Sequence, residues 1–260
     1  MGHERVGHLP KSKKWNDLVS SISEFDSVND NISEIANDAI TNVSNRFLNI
    51  HKDSGFQSAF KFLLLLAYCN KSENPSKFLQ EHGLNIDNNI SSFQLAKIAD
   101  SWVRSHEESK EYSAFSSKIL ISTINDWLNS NNLVQQDIFG TQQSILDNWK
   151  NGTSGAGFCE ISRTFFSKFT TLYLNYFLER AASSKLNTFE EREMFSERMS
   201  LHIDDISLHA FEVSKIGQSF SAGWYNKHTK SDFPSNIKIK NFLSFMMKKF
   251  SDELKTNDVA

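Results

Sequence analysis

The run Gly55-Phe56-Gln57-Ser58-Ala59-Phe60-Lys61-Phe62-Leu63-Leu64-Leu65-Leu66-Ala67-Tyr68-Cys69-Asn70 decides how this chain folds. Wound as a helix, it is apolar nearly all round, and such a helix has to be buried. Its uninterrupted apolar part, Phe62 to Cys69, is about eight residues long, against the roughly 20 that a bilayer requires. The run therefore predicts a core helix around which the N-terminal half assembles, and no membrane segment.

Composition extends that reading to the whole chain. The 260 residues include 22 Phe but only 10 Gly and 3 Pro. Gly and Pro punctuate sheet-rich and loop-rich folds, so their scarcity points to long helices. With 39% hydrophobic and 23% charged residues, the chain is globular rather than disordered. At this size one domain, or two closely packed ones, buries roughly 70–75% of the unfolded surface. A net charge of -3 argues against nonspecific polyanion binding as the main role. Cys69 and Cys159 show no metal or redox spacing and read as free thiols in a reducing, cytoplasmic setting. The opening Met1 to Pro10 lacks the apolar stretch of a secretion signal. Val6 stands where myristoylation of Gly2 needs Ser or Thr.

Working outward from the central run, Ser12 can cap a helix with Trp15, Leu18, Val19, Ile22 and Phe25 on one face. After the turn Asn29-Asp30-Asn31, a second helix carries Ile32, Ile35, Ala39, Val43, Phe47 and Ile50, and Asn31 with Glu34 has the spacing of a capping box. Asn74-Pro75 starts a short helix that Gly83 ends. Further helices are expected near 92–107, 110–130 and 134–150, carrying Phe93, Ile98 and Trp102, then Tyr112, Phe115, Ile119 and Trp127, then Ile138, Ile145 and Trp149. No strand alternation is long enough to build a sheet, and no repeat of fixed period occurs.

Asn151-Gly152-Thr153-Ser154-Gly155-Ala156-Gly157 marks the expected division: an N-terminal helical region 1–150, a Gly-rich loop 151–157, a C-terminal region 158–254 and a frayed tail 255–260. In the C-terminal region Phe158, Ser162, Phe165, Phe169, Leu172 and Tyr176 step by four and three, with Phe166, Tyr173 and Phe177 widening the stripe. Thr188 can cap a second helix in which Met199, Ile203, Ile206, Ala210, Val213, Gly217, Phe220 and Trp224 repeat that pattern, the signature of helices packed lengthwise. A short connection makes the pair an antiparallel αα-hairpin. Its second helix, from about Thr188 to His228, would be roughly 60 Å long, more than a compact domain needs. After Pro234, a final helix carries Ile239, Phe242, Leu243, Phe245, Met246 and Phe250. The fold class is thus all-α, a multi-helix bundle with a long C-terminal hairpin.

Chemistry is fainter. Gly152 and Gly157 have the outer spacing of a phosphate loop, but Phe158 and Cys159 replace the Lys and Ser/Thr, and no strand precedes them. A plain interhelical loop, or a generic anion site of Thr153, Ser154 and Gly155 at a helix start, remains. His202, Asp205 and His209, with Glu212, lie along one side of the long helix and could serve metal or acid–base chemistry. The Glu-x-x-His pairs of bundle metal sites are absent, and the same stripe reads equally as a solvated face. His3, Glu4, Arg5 and His8 form either a metal-binding or docking arm or an ordinary terminus. Lys238, Lys240, Lys248 and Lys249, near Trp224, Tyr225 and Phe242, have the composition of a single-stranded nucleic-acid or anionic-membrane surface, although the aromatics also fit helix seams. No nucleophile elbow, zincin helix or calcium loop occurs, and no cofactor is expected. Ile203, Ala210, Gly217 and Trp224, with small residues that let a neighbour approach, form the expected interaction surface toward another subunit or a second copy. A core within one chain is the other reading of them.

Gly2-His3-Glu4-Arg5-Val6-Gly7-His8-Leu9-Pro10-Lys11-Ser12, followed by Trp15, and the stretch Phe165-Phe166-Ser167-Lys168-Phe169, followed by Tyr173-Leu174 and Tyr176-Phe177-Leu178-Glu179-Arg180, resemble uncharacterised helical bacterial proteins of the kind found in anti-phage defence operons. The resemblance covers these two short stretches and includes no catalytic motif. It implies a cytoplasmic accessory or adaptor subunit working beside an effector encoded elsewhere.

Overall fold

The computed structural model describes residues 12–23, 25, 31–87, 89–106, 112–131, 144–213 and 215–256, and among them every regular element is a helix. In chain order these are α1 (Lys13–Ile22), α2 (Ile32–Asn49), α3 (Ser54–Cys69), α4 (Pro75–Glu81), α5 (Ser92–Ser105), α6 (Ser113–Ser130), α7 (Gly155–Lys185), α8 (Phe189–Val213), α9 (Lys215–His228) and α10 (Asn236–Thr256). Short 3-10 helices cover Ile50–Lys52 and Asp147–Thr153. Residues 1–11, 29–30, 134–143, 214 and 257–260, and the side chains of Val43, Ala210, Glu212, Val213 and Gly217, all covered by the sequence reading, lie outside what the structure describes.

Helix starts follow from side-chain oxygens meeting the first free amides. Ser12 Oγ accepts from Trp15 N at 3.1 Å, and Asp53 from Phe56 N at 2.9 Å. Asn74 accepts from Lys77 N at 3.0 Å, with Pro75 in the first helical position, and Gly83 leaves that helix at φ +85°. Ser91 and Gln94 form a reciprocal capping box. Thr188 and Glu191 form another: Glu191 N donates to Thr188 Oγ1 and Thr188 N to the Glu191 carboxylate. The expected Asn31–Glu34 box does not form, because Asn31 makes no side-chain cap bond.

Of the helix expected over 134–150, residues 134–143 lie outside the described residues, and the remainder is corrected. From Ser144 onward the chain turns and then forms the 3-10 helix that ends at Thr153. Asn148, Asn151 and Gly152 are poor α-formers, and Trp127 takes the Asn148 carbonyl with its Nε1, 3.1 Å away, while its ring stacks on Trp149. Nor is 151–157 an open loop, since Ser154 alone separates this 3-10 helix from α7. Its glycines serve close packing. A Cβ on Gly152 would lie 3.4 Å from Ala67 Cα, one on Gly155 would lie 2.7 Å from Asn226 Nδ2, and one on Gly157 would run into the Asn151 carbonyl.

By contacts the chain divides into two compact units along a different line from the expected one. The first comprises Met1–His51, Phe166–Gly217 and Ser244–Ala260, and the second Lys52–Phe165 and Gln218–Leu243. Within the second unit, α3 is the hub, with Phe56, Phe60, Phe62 and the four leucines Leu63 to Leu66 wholly buried. Each such side chain contributes about 1.5–3 kcal/mol through removal from water. Phe60 meets Phe158, Phe165 and Phe242 with ring centroids 6.0, 5.4 and 5.4 Å away. Trp102 packs on Phe62, and its Nε1 donates to the Ser58 carbonyl at 3.0 Å.

Within the first unit, α1 lays Trp15, Leu18 and Ile22 into a core that takes Ile35, Ala36 and Ala39 from α2. Trp15 meets Phe177 edge-on at 6.3 Å, Phe47 lies 5.7 Å from Tyr173, and Phe25 lies 5.3 Å from Phe195. The buried stripe of α7 here runs through Phe166, Phe169, Tyr173, Phe177 and Leu178, leaving Leu172 and Tyr176 half-buried. On α8 it runs through Phe195, Met199, Ile203 and Ile206. Ser167, Asn175 and Glu179 of α7 hydrogen-bond Asp204, Ser200 and Ser196 of α8 respectively.

Candidate functional site

Each residue singled out from sequence now has a place. His202 is half-buried on α8, whereas Asp205 and His209 are exposed. His202 and His209 are seven residues apart, about 10 Å along the axis, too far to share one ion. Among the described residues no group of three or more His, Cys, Asp or Glu is arranged to hold a metal ion. The metal reading of His202, Asp205 and His209 is thus corrected by simple helix rise.

Thr153, Ser154 and Gly155 spend their polar groups locally. Thr153 Oγ1 donates to the Lys150 carbonyl at 2.7 Å, and Ser154 Oγ donates to the Asn151 carbonyl and accepts from Gly157 N, each at 3.0 Å. Ser154 is therefore a helix cap, and Gly155 is occupied by its approach to Asn226. Of the lysines, Lys238, Lys240 and Lys248 are exposed and Lys249 is half-buried. Two residues on a helix differ by about 200° around the axis, so Lys238 and Lys240 face opposite ways instead of forming one stripe.

Ile203 and Trp224 are core side chains. Ile203 is 1% exposed, and Trp224 packs on Phe242 with centroids 4.6 Å apart. Neither offers a surface to a partner, because the heptad period that singled them out also marks residues buried within one chain.

The exposed apolar surface on α8 lies elsewhere. Phe189 is 73% exposed and Leu201 65%. Phe189 borders a groove of about 700 Å³ between α7 and α8, which also takes in Glu179, Ala182 and Ser183 from α7 and Arg192, Glu193, Ser196, Glu197 and Ser200 from α8. Ser196 donates to a Glu179 carboxylate oxygen at 3.3 Å across it. Three carboxylates against one guanidinium give the groove an acidic rim. The sequence contained a signal for Leu201, which is out of phase with Phe195, Met199 and Ile203, but none for Phe189, which stands two heptads before Ile203.

No protein-family model, no curated protein and no solved structure matches this chain. Among the described residues no helix is long and apolar enough to cross a membrane.

Proposed function

We propose that this chain is a non-catalytic helical interaction subunit that receives a basic, amphipathic helical segment of a partner protein in the groove between α7 and α8. The observation that carries the reading is the exposed ring of Phe189 at a groove with an acidic rim, with Leu201, outside the groove's lining, exposed on the same helix. An apolar anchor enclosed by polar groups is what a docking surface needs, and Glu179, Glu193 and Glu197 select for Lys or Arg on the incoming segment. The hydrogen bonds of Ser167, Asn175 and Glu179 to α8 residues in descending order support the antiparallel hairpin on which the groove is built. The resemblance of two short stretches to proteins of anti-phage defence operons makes an effector encoded beside this chain the first partner to test.

The test compares the wild-type chain with a Phe189→Asp/Leu201→Asp variant, each tagged and recovered from its own host. A protein recovered with the wild type in fixed proportion, lost with the variant and released by raised salt is the expected result. Identical sets recovered with both chains would refute the reading. Light scattering on the purified wild type separates self-association from binding of a different chain.

A further inference from the structure

Independently of that groove, the second compact unit contains a small recess of about 150 Å³ lined by Ser54, Gln57, Ser58, Lys61, His106, Asn236 and Ile239. Among the described residues Ile239 is its one apolar member, and no carboxylate lines it. Two basic side chains enter it, and both are held by Trp102. Lys61 Nζ lies 6.0 Å from the Trp102 ring centroid, and the His106 ring lies over the same indole at 4.0 Å. Trp102 is itself fixed by its bond to the Ser58 carbonyl. His106 Nδ1 is committed to the Trp102 carbonyl at 2.8 Å, which leaves Nε2 to meet a ligand, as a donor once the ring is protonated.

Lys61 is the unusual member of this set. It is half-buried, and among the described residues no carboxylate pairs with it. A lysine withdrawn from water without a counter-ion is costly unless something supplies the missing charge. Burial accordingly lowers its affinity for a proton. Asn236 adds an amide donor and is the first residue of α10, whose amide end is positive. The volume corresponds to about five waters at ~30 Å³ each, room for one compact ion and not for an organic cofactor.

We infer that this recess binds a compact tetrahedral oxyanion, a phosphate group either free or at the end of a phosphomonoester, with Lys61 as its counter-charge and His106 Nε2 as a second contact. The chemistry is charge-assisted hydrogen bonding, and no bond is made or broken. The inference stands apart from the α7–α8 groove, since the two share no residue.

Calorimetric titration of the full chain with inorganic phosphate, and separately with a glycerol phosphate monoester, tests it at ionic strength held constant with sodium chloride. At least one should bind saturably and raise Tm by on the order of 3–6 °C at ten times its Kd. Which of the two binds more tightly assigns the source of the phosphate. Lys61→Met should weaken binding at least ~10-fold and Lys61→Arg should retain most of it. If Lys61→Met does not fold, His106→Gln serves instead, with several-fold weaker binding expected. No binding of either compound, or unchanged affinity in Lys61→Met or in His106→Gln, overturns the assignment.

Discussion

Tyr225 donates its phenolic hydrogen to the carbonyl of Ala67 at 3.0 Å, joining residues 158 positions apart. Ala67 lies in the last turn of α3, where carbonyls have no partner within their own helix, and both residues are fully buried. Burial, with Cys69 and Tyr68 nearby, holds the phenol above its ordinary range, so the hydroxyl remains a donor throughout neutral pH. Lys71 strengthens the junction, lying 4.5 Å from the Tyr225 ring centroid and donating to Thr229 Oγ1 at 2.7 Å.

Tyr225→Phe keeps the ring and strands the Ala67 carbonyl. A buried acceptor left unsatisfied costs about 1–3 kcal/mol. Urea unfolding should show a lower midpoint with an unchanged slope.

Three glycines should respond to alanine in opposite directions. At Gly155 the new methyl meets Asn226 and the Ala222 carbonyl, and at Gly157 it meets the Asn151 carbonyl, so each substitution should destabilise by about 1–3 kcal/mol. At Gly223, inside α9, a Cβ meets nothing within 4 Å. Gly223→Ala should stabilise by up to ~1 kcal/mol through helix propensity. Thermal melts of the three variants distinguish these outcomes.

The two thiols should react at different rates. Cys69 is fully buried, its Sγ donates to the Leu66 carbonyl at 3.2 Å, and burial pushes its thiol up to about 12. Cys159 is half-buried. Burial raises its thiol too, with Arg163 opposing the shift and Glu160 adding to it. Iodoacetamide at mildly alkaline pH should modify Cys159 slowly and Cys69 only after global unfolding, because the thiolate is the reactive form. Peptide mass spectrometry reads both sites.

Acid should loosen the α5–α6 contact through Asp100. Burial opposes its charge, but hydrogen bonds from Ser117 and Arg104, with the Arg104 charge, outweigh burial and hold the carboxyl below its ordinary 3.8. A depressed folded pKa contributes stability above the unfolded value and loses it as pH falls through the folded value. The gap between wild type and Asp100→Asn should therefore close below about pH 4. Asp100's side chain is 36% exposed, and solvent screening keeps the whole effect under about 1 kcal/mol. Chemical denaturation of both chains as a function of pH measures it.

Exposed and buried phenylalanines on one helix give a direct contrast. Phe189→Ser and Leu201→Ser should each change stability by no more than about 0.5 kcal/mol. Phe195→Ala, six residues further along the same helix, removes a ring that is 1% exposed and should cost about 3–5 kcal/mol. Parity between Phe189 and Phe195 would mean that Phe189 is part of the core.

The helical class was legible because period and breakers agree: α3 through its continuous apolar run, α4 through Asn74-Pro75 and Gly83, α8 through Thr188. Legibility fails where one signal serves two purposes. The heptad that singled out Ile203 and Trp224 marks burial, and burial within a chain has the same period as burial between chains. The glycines of 151–157 read as an interhelical loop because sequence shows a missing Cβ but not the Ala67 backbone and Asn226 side chain that occupy its space. The recess around Lys61 brings together α3, the end of α5 and the start of α10, residues 54 to 239, and no local spacing can report such a meeting.

Four times along its length the chain leaves one compact unit for the other, at His51, Phe165, Gly217 and Leu243. That interleaving governs synthesis as well as architecture. On the ribosome the segment from Lys52 to Phe165 emerges with its hub helix complete, yet Trp224, Tyr225 and Phe242, which pack against it, follow only after the whole 166–217 segment. At about 5–20 residues per second, the apolar flank of α3 waits several seconds for its last covering residues. The first unit draws on both ends of the chain and on its middle, so truncation at any single point leaves it unfinished, whereas the second needs nothing outside Lys52–Leu243.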